Sequence, residues 1–368
     1  MQLKRLYFID AIRAFAILMM LQGHFIDTLL AVEYRDANNL AFNTWKYFRG
    51  ITAPVFFTIS GLIFTYLLLK AKDKGTLNRR MRKGVIRGLM LIGIGYALRI
   101  PIFRWLTGTF GTYFMVIDVL QIIGLSLILI VGIYILCQKN TLLFSILMLC
   151  LGTLVFLTEP LYRTFTAEGV PLIFANYLTK ANGSVFTIVP WFGYMAYGSF
   201  IATLFYGYLL RPHFKTAIVT GFFTVGFGLI FGSSDLLHSL TVSTDFKLFS
   251  EVAYYNYLFI RLGNVLILFG LFYALESYLK HPVILKIGQK TLSIYVVHFI
   301  LLYGSFTGWG LHRIFGKNLN PLEAIIGAIC FLVTVTVISI YFNKAQTQLN
   351  EYRKKTQHLK PTIKSLNT

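Results

Sequence analysis

The stretch FIDAIRAFAILMMLQGHFID, residues 8–27, is about as long as an α-helix that crosses the hydrocarbon core of a lipid bilayer. Most of its residues are apolar, but two ionisable side chains lie near each end. A charged group in the hydrocarbon costs a few kcal/mol unless it faces protein or water. The stretch therefore predicts a membrane span with one polar side, which carries Asp10, Arg13, His24 and Asp27.

The whole chain has the composition of a membrane protein. Hydrophobic residues make up 56% of its 368 residues and charged residues only 13%, whereas about 25% of residues are charged in a typical soluble protein. We predict an all-α fold, a polytopic integral-membrane bundle in which residues 1–343 form the transmembrane domain and residues 344–368 a basic tail. Ten apolar segments are predicted as spans: 8–31, 47–69, 84–103, 115–137, 141–158, 185–209, 215–232, 254–278, 287–305 and 322–343.

The basic residues determine the predicted orientation. The net charge is +20, and 22 of the 34 Lys and Arg residues fall on the side of the two termini, against 10 on the other side. Because cytoplasmic loops carry the excess of basic residues, both termini are predicted to be cytoplasmic. This distribution favours anionic lipid head groups over nucleic acid as a partner. We expect a bacterial inner membrane, and the sequence leaves open whether the chain forms a homodimer.

The spacing within the first span places its polar residues on one side. Arg13 and His24 are eleven residues apart, which corresponds to about 20° around the helix axis and about 16 Å along it. Asp10 lies one turn before Arg13, and Asp27 lies one turn after His24. These residues are expected to line a cavity. Alternatively, Asp10, Arg13 and Asp27 reach the head groups and His24 is a neutral histidine bonded within the core.

The pair of His24 and Asp27 suggests acid–base chemistry. A carboxylate that accepts a hydrogen bond from one imidazole nitrogen fixes the tautomer and leaves the other nitrogen free to remove a proton. We therefore predict His24 and Asp27 as catalytic residues. The stretch contains no serine or cysteine as a nucleophile, which favours direct transfer of an acyl group or transient acylation of the histidine. The three cysteines of the chain lack metal-ligand spacing, and no metal is predicted.

The loop KAKDKGTLNRRMRKGVIRG, residues 70–88, contains eight basic residues and one acidic residue. Arginine binds phosphate oxygens with its planar group of donors, and the start of a helix adds positive potential. We therefore predict that Arg79, Arg80 and Arg82, together with Arg13, bind a phosphorylated donor. The alternative is that the loop serves only to keep this side of the chain in the cytoplasm.

Five further polar residues of the spans are candidates for substrate binding. Asp118 and Gln121 are one helical turn apart, Arg261 is followed one turn later by an asparagine, and His298 lies in the middle of its segment. Each of these residues, alone, is as typical of a hydrogen bond between helices as of a ligand site. Asp10 of the first span is added to these four residues, so the candidates for substrate binding are Asp10, Asp118, Gln121, Arg261 and His298.

Several of these motifs resemble the transmembrane acyltransferase superfamily. IDAIRAFAILMMLQGHF (9–25) is similar to its first-span signature, and the arginine-rich loop is similar to that of its acyltransferase-three branch. Four further stretches resemble the heparan-α-glucosaminide N-acetyltransferase branch: FRGITAPVFFTISGL (48–62), VIDVLQIIGLSL (116–127), VPWFGYMAYGSF (189–200) and IGQKTLSIYVVHFILLYGS (287–305).

The resemblance implies transfer of an acyl group, usually acetyl from acetyl-CoA, to a sugar-type acceptor. His24 and Arg13 match the paired first-span residues of the family, and Arg79 and Arg82 match its arginine motif. In the heparan-related animal enzymes the proposed active histidine lies in the loop after the first span, whereas the corresponding residues 31–46 contain no histidine. His24 is therefore expected to replace it, and an acetyl-histidine intermediate remains open.

The leading prediction is an integral-membrane acyltransferase. It would transfer an acyl group, expected to be acetyl, from acetyl-CoA to a hydroxyl or amine group. The acceptor would be a glycan or lipid-linked sugar on the extracytoplasmic side. The alternative is a proton-coupled transporter or flippase of a glycan or lipid-linked substrate, in which the buried charges relay protons. A structural membrane scaffold is a third interpretation, but it gives no reason for the polar side of the first span.

Overall fold

The computed structural model describes residues 6–36 and 38–358, with side chains as far as residue 341. Within these ranges the chain folds into sixteen α-helices and two short 3₁₀ segments, Val32–Tyr34 and Thr112–Met115. The prediction of an all-α bundle is confirmed. The helices are α1 (Tyr7–Leu29), α2 (Leu40–Asp73), α3 (Leu77–Ala97), α4 (Ile102–Leu106), α5 (Val119–Leu136), α6 (Thr141–Leu157), α7 (Glu159–Arg163), α8 (Leu172–Leu178), α9 (Ile188–Tyr208), α10 (Phe214–Thr244), α11 (Leu248–Tyr254), α12 (Tyr257–Ala274), α13 (Pro282–Gln289), α14 (Thr291–Tyr303), α15 (Leu311–Phe315) and α16 (Pro321–His358).

Seven helical segments of the described chain are long and apolar enough to cross a membrane, and they include α1, α2, α5, α9, α10, α12 and the first part of α16. The consecutive helices α13 and α14, bent by 69°, make an eighth if they are counted as one span. The two other predicted spans correspond to α3, which begins with a basic segment, and to α6, which has only 17 residues. That α3 and α6 also cross the membrane stays a prediction. The chain is a polytopic membrane protein.

Two helices extend past their predicted ends. Helix α10 continues to Thr244, although its span was predicted to end at residue 232 and residues 233–253 were expected to be a loop. In its polar segment the hydroxyl groups bond to carbonyl groups one turn earlier in the same helix, as Ser239 does to Asp235 and Thr241 to Leu237, an arrangement that is compatible with the helix. Helix α16 likewise crosses the predicted boundary at residue 343. The last ten residues of the predicted tail, 359–368, lie outside the described residues.

Helices α2 and α9 approach each other closely at two glycines. A Cβ atom on Gly61 would lie 2.1 Å from the carbonyl oxygen of Met195, and one on Gly198 would lie 1.9 Å from that of Thr58. In a membrane, where lipid is as apolar as leucine, such close packing is a main source of helix association. The Gly88–Gly124 contact of α3 with α5 and the Gly226–Gly263 contact of α10 with α12 follow the same pattern.

We expect Gly198→Ala to destabilise the fold, because the added methyl group overlaps the backbone of α2. Overpacking of this kind costs roughly 1–3 kcal/mol, and sometimes more. Gly207→Ala in the same helix is the matched control, since no atom lies within 4 Å of its added Cβ. Thermal unfolding in detergent measures both variants. Equal midpoints for the two variants would contradict the packing described here.

Candidate functional site

A cavity of about 550 Å³ lies within the helical bundle, along one side of α1. Arg13, His24 and Asp27 all line it, so the structure places these three residues on one wall. Asp10 is not among the described residues that line the cavity; its carboxylate lies 3.9 Å from Arg13 Nη1. Three of the four ionisable side chains that helical spacing predicts on one side of α1 thus line the same cavity.

Arg13 is at one end of this cavity. Its Nη2 donates a hydrogen bond to Thr291 Oγ1, 2.7 Å away, at the start of α14. Arg87 of α3 lines the same cavity and is close enough to Arg13 for their charges to interact. With the Asp10 carboxylate beside Arg13, this end still carries a net positive charge.

His24, further along α1, contacts two residues of α14. Its Nδ1 lies 3.4 Å from His298 Nε2 and 3.3 Å from the Tyr303 hydroxyl. The His298 side chain is fully buried and is not among the described residues that line the cavity, whereas Tyr303 does line it. Since both contacts involve Nδ1, the Nε2 atom of His24 is the nitrogen available to a ligand.

The predicted contact between His24 and Asp27 is not among the hydrogen bonds of the described residues, and this part of the prediction needs correction. The Asp27 carboxylate instead forms an ion pair with Arg49 of α2. Although the two residues are one turn apart on α1, the His24 ring is directed to α14 and the Asp27 carboxylate to α2. A nearby arginine, Arg35, donates to the carbonyl oxygens of Asp27 and Leu30 at the end of α1.

Asp118 and Gln121 have mainly structural contacts. The Asp118 carboxylate accepts a 2.7 Å bond from Arg99 Nη2, and both residues are buried. Asp118 also caps α5, because its carboxylate accepts from the Val119 amide while Gln121 Oε1 accepts from the Asp118 amide. Asp118 lines the cavity and Gln121, which is fully buried, is not among the described residues that do. The pair therefore forms a capping box.

The predicted donor arginines lie in the first turns of α3. Arg79 and Arg82 are exposed, and Arg80 is half-buried with its guanidinium 5.9 Å from the centre of the Phe64 ring. None of the three is among the described residues that line the cavity, but Arg87 is. Arg80 and Arg87 are two turns apart and thus share a face of α3.

The catalytic-domain model of heparan-alpha-glucosaminide N-acetyltransferase matches residues 5–242, more than half of the chain. The chain belongs to this family. The family resemblance seen in the motifs is confirmed. Membership of the heparan-α-glucosaminide N-acetyltransferase family indicates that the protein is a membrane acetyltransferase. No curated protein sequence matches the chain. The matched residues include α1, α2, α3 and α5, whereas α12 and α14 follow them.

Several cavity residues of this acetyltransferase were not predicted. Five arginines and two aspartates line the cavity, and three of these arginines, Arg49, Arg87 and Arg99, were not among the predicted site residues. Three aromatic residues of the lining, Tyr295, Phe299 and Tyr303, were not predicted either. They recur every four residues along α14, and this spacing is a sequence signal for a shared helix face that could have been used.

Proposed function

We propose that this protein transfers an acetyl group from acetyl-CoA to an amine or hydroxyl group of a glycan or lipid-linked sugar. Membership of the family is the evidence for acetyl transfer as the reaction. The observation that supports the donor and acceptor is the single cavity that joins a basic end at Arg13 to a second polar end at Asp27, with His24 between them. By the distribution of basic residues, the Arg13 end faces the cytoplasm of a bacterial inner membrane and the Asp27 end the opposite side.

The donor enters at the Arg13 end. Its phosphate groups bind the arginines of α3, with Arg80 and Arg87 on one face and Arg79 and Arg82 adding charge at the surface. The pantetheine arm continues past the Arg13–Thr291 contact. Because about 16 Å separates Arg13 from His24 along α1, an extended arm brings the thioester close to the imidazole.

His24 acts as the general base in this proposal. Its Nε2 removes the proton of the acceptor amine or hydroxyl as that group attacks the thioester carbonyl, and the proton then passes to the departing CoA thiolate. The Nδ1 proton is donated to His298 Nε2 or to the Tyr303 hydroxyl, which holds the imidazole in place. Asp27, paired with Arg49, lies at the acceptor end of the cavity. The carboxylate of Asp10 stabilises the positive charge of Arg13.

Acetyl transfer by the purified protein in lipid nanodiscs tests this function. Radiolabelled acetyl-CoA is incubated with amino sugars and the acetylated product is separated by chromatography. We expect product that depends on the protein and on acetyl-CoA. Sugar flux across liposomes without covalent change, and no binding of acetyl-CoA at millimolar concentration, would instead favour the transporter.

The donor site makes a specific prediction about α3. Arg80→Gln/Arg87→Gln is expected to raise the KM for acetyl-CoA at least tenfold, equivalent to about 1.4 kcal/mol, because it removes two charge-assisted phosphate contacts. Arg79→Gln/Arg82→Gln removes the same charge from the exposed positions and is expected to have a smaller effect. An unchanged KM for the first pair would exclude this donor position.

A further inference from the structure

Thr52 of α2 lies at the same level of the bundle as His24 of α1. The two helices run in opposite directions, and the ion pair between Asp27 and Arg49 fixes their register. Toward the Arg13 end of the cavity, His24 is three residues from Asp27 and Thr52 is three residues from Arg49. Each step corresponds to about 4.5 Å along the helix axis. Since both side chains line the cavity, they border the same part of it.

The side of α2 that carries Thr52 is the side that packs against α1. Val55 and Ile59 follow Thr52 by about one and two turns and share a helix face with it. They belong to the same cluster of buried residues as Ile12 and Ala16 of α1. Thr52 thus lies where the contact between the two helices meets the cavity.

The Thr52 hydroxyl group lacks a contact that other hydroxyl groups of the bundle make. Thr58 in the same helix and Ser339 in α16 each donate to the carbonyl oxygen four residues earlier. Thr52 Oγ1 is shielded from solvent, and no described residue forms a hydrogen bond with it. A buried donor without a partner is destabilising. Threonine in a helix has two favourable χ1 rotamers, and rotation between them turns the hydroxyl to a ligand oxygen without movement of the backbone.

The arginines near this level are engaged elsewhere. Arg49 forms its ion pair with Asp27. Arg261 of α12 also lines the cavity, but its Nη2 would lie 3.1 Å from a Cβ atom on Gly50, two residues before Thr52 and on another side of α2. Thr52 is therefore an uncharged donor placed between α1 and the cavity.

A second unpartnered donor lines the cavity at another level. The Nε1 atom of Trp191 is buried and has no hydrogen-bond partner in the part of the chain that the structure describes. Its ring lies 5.1 Å from that of Phe57, which follows Thr52 by five residues, or about 7.5 Å along α2. In the proposed arrangement the indole lies beside the pantetheine arm, and the hydroxyl of Thr52 lies beside the thioester.

We infer that Thr52 is a catalytic residue whose hydroxyl donates a hydrogen bond to the carbonyl oxygen of the acetyl thioester. This inference rests on the proposed function and adds a residue to its machinery. When the acceptor attacks, its lone pair bonds to the carbonyl carbon, the C=O electron pair moves to the oxygen, and His24 takes the acceptor proton. The C=O bond then re-forms, the C–S bond breaks, and the CoA thiolate receives that proton. A donor aimed at the oxygen stabilises the negative charge that develops there.

Thr52→Val keeps the branched side chain and removes only the hydroxyl group. We expect it to lower kcat about 100-fold, as the loss of one such donor does, with an unchanged KM for acetyl-CoA. Thr52→Ser retains the hydroxyl and should keep most of the activity. Thr58→Val is the matched control in the same helix, since Thr58 bonds to Pro54 and is not among the described residues that line the cavity. Its kcat should equal that of the wild-type protein.

The infrared band of acetyl-CoA labelled with ¹³C at the acetyl carbonyl tests the contact without turnover. A hydrogen bond to the oxygen weakens the C=O bond and lowers its stretching frequency. With acetyl-CoA bound and no acceptor present, we expect a lower frequency on the wild-type protein and on Thr52→Ser than on Thr52→Val.

The infrared band also separates this inference from the proposed function. If its frequency depends on the Thr52 hydroxyl but no sugar is acetylated, the contact stands and the proposed acceptor fails. If sugars are acetylated but Thr52→Val changes neither kcat nor the band, this inference is overturned and the proposed function stands. An effect confined to the KM, or an equal loss of kcat in Thr58→Val, overturns it as well. Absence of acetyl-CoA binding overturns both.

Discussion

His24→Ala is expected to lower kcat for acetyl transfer by about 10²–10⁴-fold, the usual contribution of a positioned general base. The imidazole lines the cavity one helical turn before Asp27, with Nδ1 in contact with His298 and Tyr303. Only its Nε2 atom is free for a proton of the acceptor. The KM for acetyl-CoA should change little, because the arginines proposed to bind the phosphates of the donor lie near Arg13, about 16 Å from His24 along α1.

His238→Ala is the matched control for this prediction. His238 lies on the exposed side of α10 and is not among the described residues that line the cavity. Steady-state rates with radiolabelled acetyl-CoA, together with elution of both variants as single species from a sizing column, separate chemistry from misfolding. A folded His24→Ala protein that transfers acetyl at the wild-type rate would remove His24 from the mechanism.

Arg99→Leu is expected to destabilise the protein by about 3–5 kcal/mol, because it leaves the buried Asp118 carboxylate without its partner. The two groups are 2.7 Å apart, and both side chains are almost fully shielded from solvent. Arg104→Leu, on the exposed face of α4, is the control and should have little effect. Thermal and denaturant unfolding in detergent measure the difference.

A second substitution tests the cause of this loss. Asp118→Asn in the Arg99→Leu background removes the unpaired charge but keeps an oxygen that can accept from the Val119 amide at the start of α5. Part of the stability should therefore return. If the double variant is no more stable than Arg99→Leu alone, the buried charge is not the reason for the loss.

The sequence alone was sufficient to predict the bundle and one wall of the cavity. Apolar segments of the right length indicate the helices, and the spacing within α1 places Arg13, His24 and Asp27 on one side. The partners of these residues were not predictable in this way. His24 contacts α14 and Asp27 contacts α2, and helical spacing says which residues share a face but not which helix packs against it.

The arginines of α3 show the same limit. Their number and position predict a basic site. Arg79, Arg82 and Arg87 are all exposed, and only the packing of α3 shows that Arg87 is the one that also lines the cavity. The C-terminal end of α10 was misjudged for a local reason. Serine and threonine in its last part are typical of a loop, yet their hydroxyl groups bond within the helix and leave it intact.

The contacts between α1 and α14 restrict how this enzyme can operate. Arg13 holds the first residue of α14, and the last residue of that helix, Tyr303, lies 3.4 Å from Thr28 near the end of α1. Contacts at both ends of α14 favour movement of the two helices as one unit, whereas an alternating-access carrier needs parts that rock against each other. Under the function proposed above, the nucleotide and the sugar would each remain in their own compartment, and the acetyl group alone would change sides.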